Sequence, residues 1–337
     1  MGLYRALRPL VFAAPPETAH RIAGTLLELP LPWRWIGGAL DDSVLRTELA
    51  GISLRNPIGL AAGFDKRCRV LHSLGKLGFG YLVGGTITSK PREGNPKPRI
   101  VRYPRRGAMV NSMGLPNPGP EVAAANLGHH PGTAPWFVSI ADEDLEDVVR
   151  SFELLEPHAD AMELNASCPN VSWGRDDDTE QHLRDLVQAL TARTDKPLFV
   201  KLPPFASDRE RQAITALAVL AVESGAAGLT CSNTRPVLDR RQSVGTGGLS
   251  GRPLFEGTVA AVRAIREATG LAVPINACGG ISTAAEALAC LKAGATTVQL
   301  YTALVYEGPR LLRRLTAGLA TALGAGTTTT TTMTSAA

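Results

Sequence analysis

An apolar run, Ala161-Met162-Glu163-Leu164, stops in the polar stretch Asn165-Ala166-Ser167-Cys168-Pro169-Asn170. Two carboxamides flank one thiol, and Pro169 fixes the turn that follows. Amides at the end of a strand suit recognition of a planar polar ring, and a thiol beside them suits removal of a proton. A polar turn with a packing cysteine is the plainer alternative, since buried cysteines often just pack. Lys201 sits in Val200-Lys201-Leu202-Pro203-Pro204, where a lysine is costly unless an anion faces it. It could form a Schiff base with substrate, offset negative charge on a cofactor such as a reduced flavin, or snorkel from the strand end. Gly279-Gly280 precede Ile281-Ser282 at a helix start, where backbone N–H groups suit an anion, with Thr302-Ala303 as the partner loop. A phosphorylated ligand is the expectation there, and a tight turn the alternative. Asn111-Ser112-Met113-Gly114-Leu115-Pro116-Asn117 offers small and amide groups able to close over a ring. Lys66 offers a compact charge for a carboxylate, or, with Asp65, merely starts a solvated helix.

These residues need elements to hold them. From residue 56 a βα rhythm begins, with strands expected at 57–62, 81–86, 136–140, 161–164, 198–202, 228–232, 274–277 and 297–301. Helical patterns fall at 180–193, 207–223, 255–268 and 283–292. Eight short apolar strands alternating with helices predict an α/β fold, a (β/α)8 TIM barrel. Ala62-Gly63, Thr86, Asn165, Lys201, Ser232-Asn233-Thr234, Gly279-Gly280 and Tyr301-Thr302 all fall at C-terminal strand ends, where barrel active sites are built. The stretch 90–135 is too long for a simple connection and reads as an excursion over the top.

Residues 1–40 read as a small helical extension. Leu3, Leu7, Leu10 and Val11 share one face of a first helix, with Arg5 and Arg8 on its rim. Pro15-Pro16 breaks it, and Pro16 opens a second helix with Ile22, Leu26 and Leu27. Such helices fit either a peripheral membrane contact or a cap on the main domain. The barrel is expected over 41–322, and the threonine-rich 323–337 as a disordered tail.

The chain has 337 residues, 44% hydrophobic and 20% charged, enough for a large core. A net charge of +4, with no basic run interleaved with aromatics, argues against nucleic acid. Five scattered cysteines without a CxxC pair offer no metal site or redox disulfide and fit a reducing compartment. No apolar run reaches transmembrane length, and the N-terminus lacks a signal peptide's h-region.

The motifs AAGFDK (61–66), REGNPKPR (92–99), NSMGLPN (111–117), NASCPN (165–170), GGLSGRP (247–253) and ACGGI (277–281) resemble those of dihydroorotate dehydrogenases. The resemblance covers most of the chain from about residue 56. It implies a barrel binding FMN, with Ala62, Gly63, Thr86, Asn165, Lys201, Ser232, Gly251, Gly280, Tyr301 and Thr302 against the cofactor. It implies that Lys66, Asn111, Ser112, Met113, Gly114, Leu115, Asn165, Asn170, Asn233 and Thr234 hold dihydroorotate or orotate. Cys168 would be the base that takes the C5 proton while hydride passes from C6 to flavin N5. NSMGLPN, NASCPN and KLPPF look like the soluble class 1 enzymes, which use cysteine. AAGFDK, SNT, GGLSGRP and the extension look like the class 2 enzymes, which are membrane-associated, use serine and reduce quinone. A cysteine base, with a thiol titrating near ~8.5, implies a class 1-like pH dependence. Where class 2 has an FMN-binding asparagine past strand three, this chain has Ser139-Ile140-Ala141-Asp142, and Ser139 keeps one hydrogen bond for the cofactor. The expected activity is oxidation of (S)-dihydroorotate in pyrimidine (UMP) biosynthesis, with quinone as acceptor, on the cytoplasmic side of the inner membrane. The alternatives are a soluble cytoplasmic enzyme using fumarate or another soluble acceptor, or a related pyrimidine flavin oxidoreductase. Outside the resemblance, a Schiff-base lyase at Lys201 or a non-catalytic phosphate-ligand barrel would also fit.

Overall fold

The computed structural model describes residues 3–128, 134–166 and 179–333, the side chains of Leu3 and of 326–333 excepted. Eight parallel strands close into a barrel: β1 (Ile58–Leu60), β2 (Tyr81–Ile87), β3 (Trp136–Ile140), β4 (Ala161–Asn165), β5 (Leu198–Leu202), β6 (Gly228–Cys231), β7 (Ile275–Cys278) and β8 (Thr297–Leu300). Each is a nearly unbroken apolar or small run because both of its faces are buried. Each strand is followed by an outer helix. Thr179–Thr191, for example, buries Leu183, Leu186, Val187 and Leu190, one stripe at helical spacing. Reciprocal caps start two others: Ser207 with Glu210, and Thr283 with Glu286.

The barrel interior is divided by chemistry. At the lower end the rings of Tyr81, Phe137 and Phe199 stack in a row, with centroids 4.9 and 5.2 Å apart. Gly59 makes room for them, since a Cβ there would stand 2.4 Å from the Tyr81 ring. Below the rings a hairpin, Thr47–Leu49 with Ile52–Leu54, inserts Leu49 and Leu54, each burial stabilising by roughly 1.5–3 kcal/mol. Above the rings the inward positions turn polar: Glu163, Thr230, Asn276 and Thr297, then Asn165, Lys201 and Gln299. Branched apolar residues usually fill a barrel of this kind to the top, so the upper half has been given over to something else.

The excursion and the loop after β6 together form a four-stranded antiparallel sheet over the mouth. Its order is Arg235–Leu238, Thr246–Gly251, Ala108–Asn111, Ile100–Tyr103. The sequence reading did not anticipate this sheet.

Three helices precede the barrel: α1 (Leu3–Ala13), α2 (Pro16–Glu28) and α3 (Trp33–Gly37). The first two begin and break where the prolines predict. The face that α1 turns to the barrel, however, is Tyr4, Arg8 and Phe12 rather than the leucine stripe. Tyr4 donates to the Val305 carbonyl at 2.6 Å, Arg8 to that of Tyr306 at 3.0 Å, and Phe12 meets the Tyr306 ring edge-on. Arg5 pairs with Glu307 at 2.7 Å, so both arginines of the helix rim bind the barrel. Leu7, Leu10, Ile22 and Leu26 are left outward, with Leu10 73% and Trp35 86% exposed. Among the described residues no helix is long and apolar enough to cross a membrane. The last helix, Leu311–Met333, continues past 323, where a patternless tail was expected. Among the described side chains of this helix, Leu323 is the last one packed on the core.

Candidate active site

One cavity of about 1260 Å³ opens at the C-terminal ends of the strands. An ordinary small-molecule pocket holds roughly 300–1,000 Å³, so this one has room for two ligands side by side. Ala62, Gly63, Lys66, Thr86, Asn111, Ser112, Met113, Gly114, Leu115, Asn165, Lys201, Ser232, Asn233, Thr234, Gly251, Gly280, Tyr301 and Thr302 all line it. Cys168 and Asn170 lie outside the described residues. Ser139 is fully buried on β3 behind Thr86, the two hydroxyls 3.0 Å apart, and is not part of the lining. Thr86 lines the cavity in its place, its hydroxyl accepting from Asn165 Nδ2 at 3.2 Å.

The floor is Asn165, Lys201, Cys278 and Gln299, projecting from β4, β5, β7 and β8. Burial works against the Lys201 charge, but Glu163 and Cys278 nearby more than offset it, holding the amine above the usual lysine value. A protonated amine is no nucleophile, which disfavours the Schiff-base reading. Gln299 is 1% exposed, and neither its amide nitrogen nor its oxygen has a hydrogen-bond partner within the protein. A buried amide left open at a cavity wall is expensive unless a ligand completes it.

At one end of the cavity Gly280, Gly251 and Thr302 come together. Gly280 has φ +77, and a Cβ there would meet the Phe255 backbone nitrogen at 2.3 Å, so only glycine fits. The helix after the glycine pair spans Ala284–Lys292 with Thr283 as its cap, matching the pattern expected at 283–292. The N–H groups of Ser282 and Thr283 are taken by Glu286, at 2.7 and 2.8 Å. Any anion seat is thus the glycine turn with Thr302, rather than the tip of that helix. Thr302 donates to Ser250 at 3.0 Å, a cavity residue that the sequence reading passed over.

At the other end lies the loop 111–117. Ser112 donates to Gln242 at 2.7 Å, and Asn95 donates to the Ser112 carbonyl at 2.9 Å. Leu115 holds φ +53, a conformation side chains seldom adopt and one that gathers at ligand clamps. Asn117 does not face the cavity. It ties the loop down, donating to Thr88 at 2.7 Å and accepting from Gly119 at 3.0 Å. Lys66 folds back to donate to the Gly63 carbonyl. From this side an edge-to-face series, His20 to Phe64 to Tyr301, runs from α2 to the cavity with centroids 5.2 and 5.6 Å apart. Burial and the nearby Lys66 lower the His20 pKa to about 4. Asn95, Gln242, Ser250 and Gln299 carry no distinctive spacing. Only the fold brings them here.

Known proteins match this arrangement. The family model described as dihydroorotate dehydrogenase matches residues 44–323. The chain is 38% identical over 334 residues to the dihydroorotate dehydrogenase (quinone) of Sphingopyxis alaskensis, covering 94% of this chain and 92% of the relative. It is 37% identical over 338 residues to the Rhodococcus erythropolis protein of the same name, covering 94% of each. Among solved structures, DHODH from Eimeria tenella in complex with ferulenol superposes with a TM-score of 0.80 at 30% identity, covering 92% of each chain. The ligand-free form gives 0.79. With motif, cavity and match in agreement, the chain belongs to the dihydroorotate dehydrogenase family.

Proposed function

We propose that this protein oxidises (S)-dihydroorotate to orotate in pyrimidine biosynthesis, with FMN as its resident group and a quinone as electron acceptor. The observation that carries the reading is the convergence of the motif residues, drawn from most of the strand ends and from the excursion, on one cavity large enough for two ligands. Its donor set fits FMN. Gly251, Gly280 and Thr302 suit the phosphate, Lys201 and Gln299 the polar edge of the ring system, and Thr86 with Asn165 the near wall. FMN when bound supplies the two-electron acceptor for the substrate C–H bond. Lys66 would hold the substrate carboxylate, and Asn111, Asn165, Asn170 and Asn233 would read the pyrimidine edges. Cys168 would take the proton.

Quinone is favoured as acceptor by the names of the relatives and by the extension, whose outward Leu7, Leu10, Ile22, Leu26 and Trp35 suit a membrane surface beside the cavity mouth. Peripheral attachment to a membrane through residues 1–40 is part of the same proposal.

The test is anaerobic. Dihydroorotate is added to the purified yellow protein and should bleach the flavin, after which a short-chain quinone should restore the colour. Failure to bleach overturns the substrate. Recolouring by fumarate but not by quinone overturns the acceptor.

A further inference from the structure

Glu163 binds nothing in the reading above, yet among the described residues it is one of the most buried charges, 1% exposed. It lies two residues before Asn165 on β4, so both point into the barrel. Glu163 pairs across the ladder with Phe199, and Asn165 with Lys201. The carboxylate therefore sits one layer below Lys201 and diagonal to it.

Its hydrogen bonds have a direction. Oε2 accepts from Thr230 at 3.0 Å. The Thr230 hydroxyl accepts from Asn276 Nδ2 at 3.3 Å, and Asn276 Oδ1 accepts from Thr297 at 2.7 Å. The Thr297 proton is then spent, so the Tyr81 hydroxyl, 2.8 Å away, must donate to it. Every donor from the aromatic floor upward points toward Glu163, an arrangement that stabilises an anion at its end. The other oxygen, Oε1, is buried with no hydrogen-bond partner within the protein. Such an oxygen is costly unless a cation answers it.

Lys201, one layer up on the neighbouring strand β5, is the buried cation on which Glu163 acts. The titratable groups that act on it are Glu163 from β4 and Cys278 from β7. Burial pushes the Cys278 thiol up, and it does the same to the Tyr81 hydroxyl, which also feels Glu163. Glu163, at the end of the converging donors, is the group the barrel places to answer Lys201.

We propose that Glu163 is a positioning residue, a built-in counter-charge that keeps Lys201 protonated beneath the ligand whatever charge that ligand carries. The inference deepens the proposed function and rests on the flavin reading for one of its two tests. With Glu163 present, Lys201 already holds its proton when two electrons enter FMN, so forming the anionic reduced flavin takes up one proton. Without Glu163, Lys201 is neutral beneath the oxidised ligand in alkaline solution and gains a proton on reduction, so two protons enter per two electrons.

The first test follows the midpoint potential of bound FMN against pH, between about pH 8 and 10, in wild type, Glu163→Gln and Glu163→Asp. The slope should double in Glu163→Gln, which keeps the shape and the Thr230 bond, and stay at the wild-type value in Glu163→Asp. An unchanged slope in Glu163→Gln overturns the proposal. The second test is a thermal-unfolding cycle of Lys201→Met, Glu163→Gln and the double variant, which needs no flavin. Lys201→Met strands a lone buried carboxylate, so the double variant should melt above Lys201→Met. Strictly additive losses overturn the proposal, and this cycle decides alone if Glu163→Gln purifies without flavin. Should even the wild-type protein hold no FMN, the functional reading falls while the cycle still judges Glu163.

Discussion

Replacing Gly280 with alanine tests the anion seat most directly. The residue sits at φ +77, and its Cβ would lie 2.3 Å from the Phe255 nitrogen and 2.6 Å from its Cα. Those are backbone atoms at the head of the helix Phe255–Thr269 and cannot swing aside. The left-handed conformation costs alanine roughly 1–2 kcal/mol. Relieving the contact costs roughly 1–3 kcal/mol more by the measure of overpacked cores. If the loop relaxes by moving off its seat, flavin affinity should fall by roughly 30-fold to several thousand-fold. Gly257 is the control. It lies two residues further along, within that helix, and a Cβ there would meet nothing within 4 Å. Gly257→Ala should bind flavin normally and gain roughly 0.4–1 kcal/mol of stability. The assay is titration of flavin-free protein with FMN by fluorescence quenching, with a thermal melt beside it. If Gly280→Ala matched Gly257→Ala in both affinity and melting temperature, neither the strain nor the seat would stand.

Cys168→Ser should slow anaerobic flavin reduction at neutral pH by about 10²–10⁴-fold, with the loss shrinking as pH rises; full speed at neutral pH would remove Cys168 as base. His20 is kept neutral by burial, its pKa lowered to about 4 in the folded state, whereas the unfolded chain protonates it below about 6.5. The unfolded state then binds more protons between those values, so stability should be full above pH 6.5 and fall toward pH 4, by about 3 kcal/mol at most. Urea unfolding at pH 7 and 4.5 should show that slope, and His20→Gln should flatten it. Trp35→Asp with Leu10→Glu alters only outward side chains, so flavin reduction by dihydroorotate should persist while co-sedimentation with lipid vesicles drops; equal binding would detach the extension from any membrane role.

The barrel was readable because its strands are buried on both faces and therefore written as short, mostly apolar runs; β3 and β5 begin and end where that pattern does. The site was readable for the same reason. Asn165 and Lys201 are conspicuous against such runs, and both do project into the cavity. The antiparallel sheet left no such mark. Thr246–Gly251 reads TGGLSG, and its pairing with Ala108–Asn111 joins residues far apart in the chain. Glu163 was read as part of an apolar strand, since a carboxylate there gains meaning only from Thr230 and Lys201 on other strands. The leucines of α1 have the spacing of a core face, but Tyr4, Arg8 and Phe12 find closer partners in Val305 and Tyr306, and the spacing alone could not rank the two faces.

The hairpin that inserts Leu49 and Leu54 under the three stacked rings has a consequence for traffic. With the lower end stoppered, the mouth is the way in and out, for whatever gives up electrons and for whatever carries them away. That rim is shared, with the 111–117 loop on one part and Arg5 and Arg8 of α1 on another. Donor and acceptor arrive through one opening and must take turns or keep to separate sides of it.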